Sequence, residues 1–477
     1  MDNGIETDIC VIGAGSGGLS LAAGASQMGA RVVLVEGHRM GGDCLNYGCV
    51  PSKALLAAAH AAQAQRSSAR FGIAATEPGI DWAGVRAHVD HVIAAIAPND
   101  SVARFEGLGV TVIQAFGHFL DAERLQAGDT VIRAKYFVIA TGSRPAVPPI
   151  PGLAETPHFT NETIFANDAP IRHLIVLGGG PIGIELAQAH RRLGAEVSVV
   201  EMGRILPRDD AEAVELLRRR LLTEGIRLLE GVKATRVAST PDGVQVEAQG
   251  EDGSLVLEGS HILVAAGRVP HLDKLDLDKA GVAFDRRGVK VDAGLRSSNK
   301  RIFAMGDAAG GPQFTHVAGY HAGVLIRRLL FRMVWAKADY RALPWVTYSD
   351  PELAQVGMTE AQAIEKAGAD SVEILRWSLG ENDRAQAERA THGLIKLIAD
   401  RKGRILGASI LAPHAGELIA PWCLAVQQRL KLGAMASLML PYPTLGEIGK
   451  RAAGSHFTPK LFSEKTKKIV RFLLKFG

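Results

Sequence analysis

Cysteine is scarce in this sequence, with four residues among 477. So few thiols, unevenly placed, exclude the disulfide framework of a small secreted domain. No apolar run reaches about 18 residues, so we predict no transmembrane helix. The opening segment MDNGIETD is acidic and leads directly into a strand pattern, which is not typical of a signal peptide. We therefore expect a soluble cytoplasmic protein.

Aromatic residues and net charge are also low, at 5% and +4. A mild charge without any RNA- or DNA-reading motif predicts no nucleic-acid partner. Glycine is abundant, with 53 residues, and suits α/β domains with many tight turns. At roughly 150 residues per domain, the length predicts about three domains.

A glycine-rich segment follows the first strand pattern, DICVIG. Gly13, Gly15 and Gly18 match G-x-G-x-x-G, and the next strand pattern ends in Glu36. The glycines permit a tight turn and close approach of a pyrophosphate, whose charge the following helix N-terminus attracts. The acid can accept a ribose hydroxyl. These features together predict a dinucleotide site.

The same unit occurs a second time, with Gly178, Gly180 and Gly183 followed by Glu201. The first glycine and the acid are 23 positions apart in both units. Two such units predict two dinucleotide sites, one for a resident cofactor and one for an exchanging cofactor. Glu201 favours NAD over NADP, because a carboxylate repels a 2′-phosphate. Two nearby arginines weaken that preference.

Two of the cysteines, Cys44 and Cys49, lie in the stretch GGDCLNYGCVPSK, just before an Ala-rich helical pattern. A helix N-terminus favours the thiolate, so we interpret the pair as a redox-active disulfide. The alternatives are a structural disulfide and half of a zinc site, but no second cysteine pair is present. We expect Cys10 and Cys423 to be buried core thiols.

RIFAMGDAAG places Asp307 at the carboxyl end of a later strand pattern, where open α/β sheets bind ligands. Asp307 could instead cap a helix. A helix predicted from about Thr315 could direct its N-terminus at a flavin. From about Trp345 the pattern changes to strands and helices without nucleotide motifs, which indicates an α+β domain.

The final segment, KTKKIVRFLLKFG, is basic and amphipathic. Its apolar side chains share one face, opposite a basic face; they are Ile469, Phe472, Leu473 and Phe476 against Lys468, Arg471 and Lys475. It could lie on an anionic membrane or on a partner. Packing on its own protein is the simpler interpretation and the one we favour.

These motifs, in this order, resemble the flavin-dependent pyridine nucleotide–disulfide oxidoreductases over about residues 6 to 455. That family includes dihydrolipoamide dehydrogenase, glutathione reductase and mercuric reductase. The resemblance implies an α/β fold with two Rossmann-like dinucleotide-binding domains, for FAD and NAD, and a C-terminal α+β dimerisation domain. The expected boundaries are 1–150 and 271–341 for the two parts of the FAD region, 151–270 for NAD(P), 342–465 for dimerisation and 466–477 for a basic tail.

The resemblance also implies residue roles. The first glycine unit, with Glu36 and Asp307, would bind FAD, and the second unit would bind NADH. Cys49 would lie nearest the flavin, and Cys44 would meet the substrate. Lys53, paired with Glu185, would stabilise a reduced flavin by its charge. Further cofactor contacts are expected from Gly42, Lys53, Thr141, Gly142, Gly267, Arg268 and Gly306.

One segment departs from the disulfide-reducing members of the family. Where they carry His-Pro-Thr followed by an acid, this sequence has PYPTLGEIG, with Tyr442 in place of the histidine and Glu447 retained. A tyrosine is a poor proton acceptor at neutral pH, but it can donate a proton or lie beside a metal. Mercuric reductases also have Pro-Tyr here. Their paired C-terminal cysteines, however, have no counterpart, since Cys423 is the last cysteine.

Our leading hypothesis is an enzyme that passes electrons from NADH through FAD to a Cys44–Cys49 disulfide, or in the reverse direction. The acceptor would be a small or protein-bound disulfide such as lipoamide, or a soft metal ion such as Hg(II). A second hypothesis is a flavin-dependent NADH:quinone or oxygen oxidoreductase that does not use the cysteines. A third is a non-enzymatic FAD-binding redox sensor. Site residues far apart in sequence predict a homodimer.

Overall fold

The structure is a computed structural model, and it describes residues 4–476. The chain divides into two compact units. The first contains the residues up to Ser68, Ala74–Met202 and Leu228–Asp339; the second contains Ala69–Ile73, Gly203–Arg227 and the residues from Tyr340 onward.

The chain up to residue 330 contains both strands and helices. The strands are β1 (Gly4–Ile12), β2 (Val32–Val35), β3 (Val110–Ile113), β4 (Gly117–Phe119), β5 (Arg124–Ala127), β6 (Thr130–Ile139), β7 (Ser143–Pro145), β8 (His173–Leu177), β9 (Glu196–Glu201), β10 (Ile226–Glu230), β11 (Lys233–Thr240), β12 (Gly243–Gly250), β13 (Gly253–Gly259), β14 (His261–Val264), β15 (Arg268–Pro270), β16 (Phe284–Asp285), β17 (Gly288–Val289) and β18 (Ile302–Ala304). The helices are α1 (Ser16–Gln27), α2 (Gly42–Asn46), α3 (Cys49–Arg66), α4 (Trp82–Ile96), α5 (Val102–Gly107), α6 (Pro181–Arg192), α7 (Ala211–Thr223) and α8 (Thr315–Leu329).

The first sheet has the order β3-β2-β1-β6-β5-β4, with β18 pairing with β6. Its centre is parallel, and residues 9–12 and 32–35 are wholly buried. Parallel strands covered on both faces are apolar throughout, which explains the short apolar runs in the sequence. Ile9 and Val11 pack in one core, and Cys10 in another, because successive side chains point to opposite faces.

The second nucleotide-type sheet has the order β10-β9-β8-β14, and β8 pairs in parallel with both of its neighbours. An antiparallel sheet of β11, β12 and β13 lies between β10 and β14 in the sequence. In both parallel sheets a glycine turn joins the first strand to a helix, α1 in one and α6 in the other. The carboxyl ends of these strands therefore present the two predicted dinucleotide loops.

The second unit is built on an antiparallel sheet in the order β19-β20-β23-β22-β21. Its strands are β19 (Pro344–Thr347), β20 (Glu352–Gly357), β21 (Val372–Ser378), β22 (Leu394–Asp400) and β23 (Ile405–Ala412). Its further helices are α9 (Glu360–Ala367), α10 (Asp383–Ala387), α11 (Ala415–Leu418), α12 (Ala420–Gln427), α13 (Leu432–Ala436), α14 (Glu447–Ser455), α15 (Thr458–Leu461) and α16 (Glu464–Leu473). The predicted fold class, two nucleotide-type α/β sheets and an α+β unit, is confirmed. Across residues 4–476, no helix has the length and apolarity that crossing a bilayer requires.

The apolar face of α16 corrects one expectation. We favoured its packing on the protein itself, yet α16 has no buried residue. Ile469, Phe472, Leu473 and Phe476 are all exposed. The amphipathic pattern was interpreted correctly as a helix, but packing of its apolar face on the same chain is not observed.

A buried lysine connects the start of α7 to the sheet of the second unit through ion pairs. Lys396 on β22 is 2% exposed, and its Nζ lies 2.8 Å from Asp210, 2.7 Å from Glu212 and 2.8 Å from Glu360. Burial acts to lower the pKa of Lys396, but its hydrogen bonds to the three carboxylates outweigh burial and raise the pKa. The second unit thus depends on a charge cluster that sequence periodicity did not reveal.

Replacing Lys396 with methionine should destabilise the second unit. The change keeps much of the apolar stem but leaves the carboxylate of Asp210 buried without its cation. We expect the free energy of unfolding, measured by urea denaturation, to fall by about 3 kcal/mol. Arg219→Gln is the control, because Arg219 pairs with Glu215 at the surface and should cost about 1 kcal/mol or less. Equal losses in the two variants would contradict the role of the buried cluster.

Candidate active site

The first glycine turn is too tight for side chains at two of its positions. Gly13 has φ +109°, and a Cβ there would lie 2.4 Å from the Ala140 carbonyl oxygen. A Cβ at Gly18 would lie 1.9 Å from the Gly13 oxygen. Gly15 and Gly42 also approach closely, because a Cβ on Gly42 would lie 2.7 Å from the Cα of Gly15. The turn therefore brings bare backbone to the N-terminus of α1.

The second turn repeats this geometry. Gly178 has φ +115°, and a Cβ on Gly183 would lie 2.0 Å from the Gly178 oxygen. Gly180 differs, since a Cβ there would meet no atom within 4 Å. Packing within the chain therefore does not require glycine at position 180, whereas close approach of a pyrophosphate to the N-terminus of α6 does.

The acids that end the second strand of each unit hold the glycine turns by hydrogen bonds. Glu36 Oε2 accepts from the backbone N–H of Ala14 at 2.6 Å, and Glu201 Oε2 accepts from that of Gly179 at 2.7 Å. The equal spacing in the sequence thus corresponds to the same hydrogen bond, from acid to glycine turn, in both units. Contact of these acids with a ribose remains a prediction.

Further residues near the strand ends fit a bound cofactor. The hydroxyl of Thr141 is buried and has no hydrogen-bond partner within residues 4–476. Beside it, Gly142 has φ +68°, and a Cβ there would meet nothing within 4 Å; Gly267, with φ +117°, is equally open. Because buried hydroxyls are normally paired, this arrangement fits a cradle for a polar group such as a dinucleotide.

Arg268 is the centre of a polar network in the first unit. Its guanidinium lies 3.0 Å from Asp43, and it donates to Ser143 Oγ at 2.8 Å and to Asn161 at 3.3 Å. Ser143 in turn donates to Asp307 at 2.5 Å. Burial raises the pKa of Asp307, although Ser143 and Arg268 oppose the rise. Asp307 does not cap its own short helix, so the capping alternative is not observed.

The cysteine pair spans two helices. Cys44 lies in α2 and is half-buried, and Cys49 is the first residue of α3 and is exposed. Both are free thiols. Lys53, four residues after Cys49, lies on the same face of α3. Its Nζ donates to Glu185 Oε2 at 2.7 Å, so the predicted lysine and glutamate form an ion pair.

The pKa values of the two thiols shift in opposite directions. The hydrogen bond from Cys44 lowers the pKa of Cys49 to about 6, against the effect of burial and with help from Thr315 and Lys53. The same bond, together with burial, raises the pKa of Cys44. At neutral pH the pair therefore keeps one proton on Cys44 and a thiolate on Cys49. Within residues 4–476 no group of three or more His, Cys, Asp or Glu side chains could hold a metal ion, so the zinc alternative lacks ligands.

Sequence reasoning missed several residues of this site. Thr315 Oγ1 lies 3.5 Å from Cys49 Sγ, and His321 Nδ1 accepts from the backbone N–H of Gly306 at 3.0 Å. Both lie in α8, whose start the sequence predicted. No motif connects them to the cysteines, however, because Thr315 lies 266 positions after Cys49 in the sequence.

Tyr442 and Glu447 belong to the second unit, whereas the other predicted site residues belong to the first. Tyr442 is 69% exposed, and its hydroxyl donates to Asp383 at 2.7 Å. That hydrogen bond raises the pKa of Tyr442. Glu447 is the first residue of α14. At neutral pH Tyr442 is thus even less often in the phenolate form, which could accept a proton, than an ordinary tyrosine.

Two dinucleotide loops and a polarised thiol pair at a helix start define a flavin- and pyridine-nucleotide-dependent dithiol redox enzyme. The family models agree with this class. Residues 7–322 match the pyridine nucleotide-disulphide oxidoreductase model, and residues 343–453 match the dimerisation domain of the same family. The chain belongs to the pyridine nucleotide-disulphide oxidoreductase family. It is an enzyme that uses FAD and NAD(P)H, and its dimerisation domain supports a homodimer.

Similar proteins cover nearly the whole chain. A mercuric reductase of Streptomyces lividans is 36% identical over 94% of this chain and 95% of its own length. A dihydrolipoyl dehydrogenase of Geobacillus stearothermophilus is 34% identical over 95% of this chain and 96% of its own. A Cu(II) complex of the HOCl-induced flavoprotein disulfide reductase RclA from Escherichia coli superimposes with a TM-score of 0.83, at 27% identity, covering 93% of this chain and 99% of RclA.

Gly180→Ala should weaken NADH binding without disturbing the fold. The backbone at position 180 has φ −74°, which alanine adopts freely, and the added Cβ meets no protein atom. The methyl group would obstruct the pyrophosphate, so we expect the Kd for NADH to rise about tenfold or more. Stopped-flow reduction of the flavin measures this Kd. FAD content is the internal control, and Gly454→Ala, a change in α14 with open space, should leave the Kd unchanged. An unaltered Kd in Gly180→Ala would refute the assigned role.

The pH dependence of alkylation should reveal the Cys49 thiolate. In enzyme reduced anaerobically, the rate of Cys49 alkylation by iodoacetamide should reach half its plateau near pH 6 and fall at lower pH, because the thiolate is the nucleophile. Peptide mapping by mass spectrometry assigns the modified residue. Cys44→Ala removes the main stabilising hydrogen bond and should move the midpoint to higher pH, whereas Cys423→Ala should not. A wild-type midpoint near 9 would show that Cys49 is an ordinary thiol.

Proposed function

We propose that this enzyme uses NADH to reduce a thiophilic metal ion of the Hg(II) class at Cys44 and Cys49. The observation that carries the proposal is Tyr442 at the position of the family's histidine, with its hydroxyl donating to Asp383. Reduction of a disulfide produces thiolates that must gain protons, and its reversal requires a proton acceptor. A tyrosine with a raised pKa serves that chemistry poorly at neutral pH.

A soft metal ion makes no such demand. Two thiolates bind it directly, since thiolates are the ligands that soft metals prefer. Cys49 is a thiolate already, and Cys44 loses its proton when the metal binds. In total, NADH and Hg(II) give NAD⁺, a proton and Hg(0), which balances two electrons. Mercuric reductases among the similar proteins, and the Cu(II) complex of RclA, support a metal substrate.

The residues of the first unit fit the cofactors that this reaction needs. FAD, when bound, supplies the two-electron link between NADH and the cysteines. The turn at Gly13 and Gly18 would hold its pyrophosphate. Lys53, fixed by Glu185 at 2.7 Å, would place positive charge beside the flavin and beside Cys49. Glu201 supports NADH as the donor, because its carboxylate repels a 2′-phosphate. NADH as donor and reduced thiols also fit the cytoplasm.

A lipoyl-type disulfide is the second candidate substrate. Glu447 is retained at the start of α14, and a dihydrolipoyl dehydrogenase is 34% identical. In this alternative, Tyr442 would donate a proton to the reduced substrate instead of accepting one.

Anaerobic NADH consumption by the FAD-loaded enzyme separates the candidates. With Hg(II) supplied as a thiol complex, we expect turnover about tenfold or more above the rate without acceptor, and little turnover with lipoamide. Cys49→Ser should abolish the metal-dependent rate. Turnover with lipoamide alone would favour the disulfide. A quinone- or oxygen-dependent rate that survives Cys49→Ser would instead indicate chemistry that bypasses the cysteines.

Tyr442→His should raise turnover with lipoamide, because it restores a proton acceptor at this position. General base catalysis contributes about 10²–10⁴-fold, so we expect a gain of about tenfold or more in kcat. Tyr442→Phe is the matched control, since it also loses the bond to Asp383 but supplies no base. Equal rates in the His and Phe variants would show that proton transfer at position 442 does not limit disulfide turnover.

A further inference from the structure

The helix α16 exposes an unusually apolar surface. Six large apolar side chains are between 47% and 74% exposed; they are Ile469, Val470, Phe472, Leu473, Leu474 and Phe476. The helix is well formed, because the Ser463 side chain caps it by accepting from the backbone N–H of Thr466 at 3.2 Å. The rings of Phe472 and Phe476 lie 5.0 Å apart, so they form one continuous surface. We call residues 464–476, which are α16 and the three residues that follow it, the tail helix.

The charges of the tail helix are as unusual as its apolar surface. It contains five basic residues and one acid, Glu464, which gives a net charge of +4. The whole chain also has a net charge of +4, so the tail helix carries all of it. Residues 1–463 then contain 49 basic and 49 acidic residues, and their charges balance.

The two properties lie on opposite sides of the helix. At 3.6 residues per turn, Lys467, Lys468, Arg471 and Lys475 project from one side and the apolar residues from the other. Lys467 pairs with Glu464 at 2.7 Å. Because Glu464 is the one acid among residues 464–476, that side keeps a net positive charge. Lys465 lies at the edge of the apolar side, where a long stem can extend its ammonium toward water.

Charge determines which surface can cover the tail helix. A second copy of the same helix would bring two groups of +4 together, and residues 1–463 carry no net negative charge to attract them. An anionic bilayer matches both sides of the helix. Its headgroups attract lysine and arginine, and its acyl boundary accepts phenylalanine, leucine and isoleucine. Among residues 4–476, no helix is long and apolar enough to cross a bilayer.

We propose that the tail helix lies in the plane of an anionic membrane surface and holds the enzyme there. Phe472 and Phe476 enter the acyl boundary, and Lys468, Arg471 and Lys475 face the phosphates. This function is independent of the electron acceptor, because it uses none of the residues of the redox site.

Vesicle flotation with the FAD-loaded, full-length protein tests the proposal. We expect binding to vesicles of 70% phosphatidylcholine and 30% phosphatidylglycerol, and at least about tenfold weaker binding to pure phosphatidylcholine. High salt should weaken binding further, because it screens the headgroup attraction. Binding that ignores both lipid charge and salt would overturn the electrostatic part of the proposal.

Paired variants test each side of the helix. Lys468→Glu with Lys475→Glu should reduce binding about tenfold or more, whereas Lys366→Glu with Lys402→Glu makes the same charge change elsewhere and should reduce it far less. Phe472→Ser with Phe476→Ser should also abolish flotation, and the exposed Val334→Ser should not. Flavin reduction by NADH verifies that each variant is folded.

If deletion of residues 464–477 changes the oligomeric mass in light scattering but wild-type protein never floats, the helix contacts a second copy and the membrane proposal is wrong.

Discussion

The polarisation of two neighbouring thiols is the constraint on which the chemistry of this enzyme depends. It places a thiolate on Cys49 and a proton on Cys44. The first unit supports this polarity from several directions. Cys49 begins α3, Lys53 follows one turn later, and Thr315 approaches from α8. Lys53 and Thr315 thus approach the same sulfur, and positive charge or a hydrogen bond beside a sulfur favours its thiolate form.

The same arrangement fits the separate roles that we propose for the two sulfurs. A thiolate can share electron density with an oxidising partner beside it, while a protonated thiol remains available to an incoming substrate. The ion pair of Lys53 and Glu185 keeps the lysine in place, and Glu185 is only 5% exposed. A buried carboxylate that fixes a partly exposed lysine makes the local field a property of the fold and not of a mobile side chain.

The sequence predicted local features well and distant contacts poorly. The glycine turns, their helices and the strand-ending acids follow from short-range sterics, and the equal spacing in two units doubled that signal. The contact of Thr315 with Cys49, and the charge cluster at Lys396, join segments far apart in sequence, and only the folded sheets bring them together. For the tail helix, the sequence predicted the local structure but not the surface that contacts it. Periodicity predicts an amphipathic helix, but it cannot say whether protein or another surface covers the apolar side.

The segment 203–227 has a consequence for how this protein can be divided or recombined. It interrupts a nucleotide-type sheet in sequence, yet it belongs to the second compact unit, where Asp210 meets Lys396. A module cut at Tyr340 would therefore carry Lys396 away from its carboxylate and leave each piece with half of a buried ion pair. Any chimera that exchanges the dimerisation region between relatives must exchange segment 203–227 together with the residues from Tyr340 onward, so that residues 210, 212, 360 and 396 are inherited together.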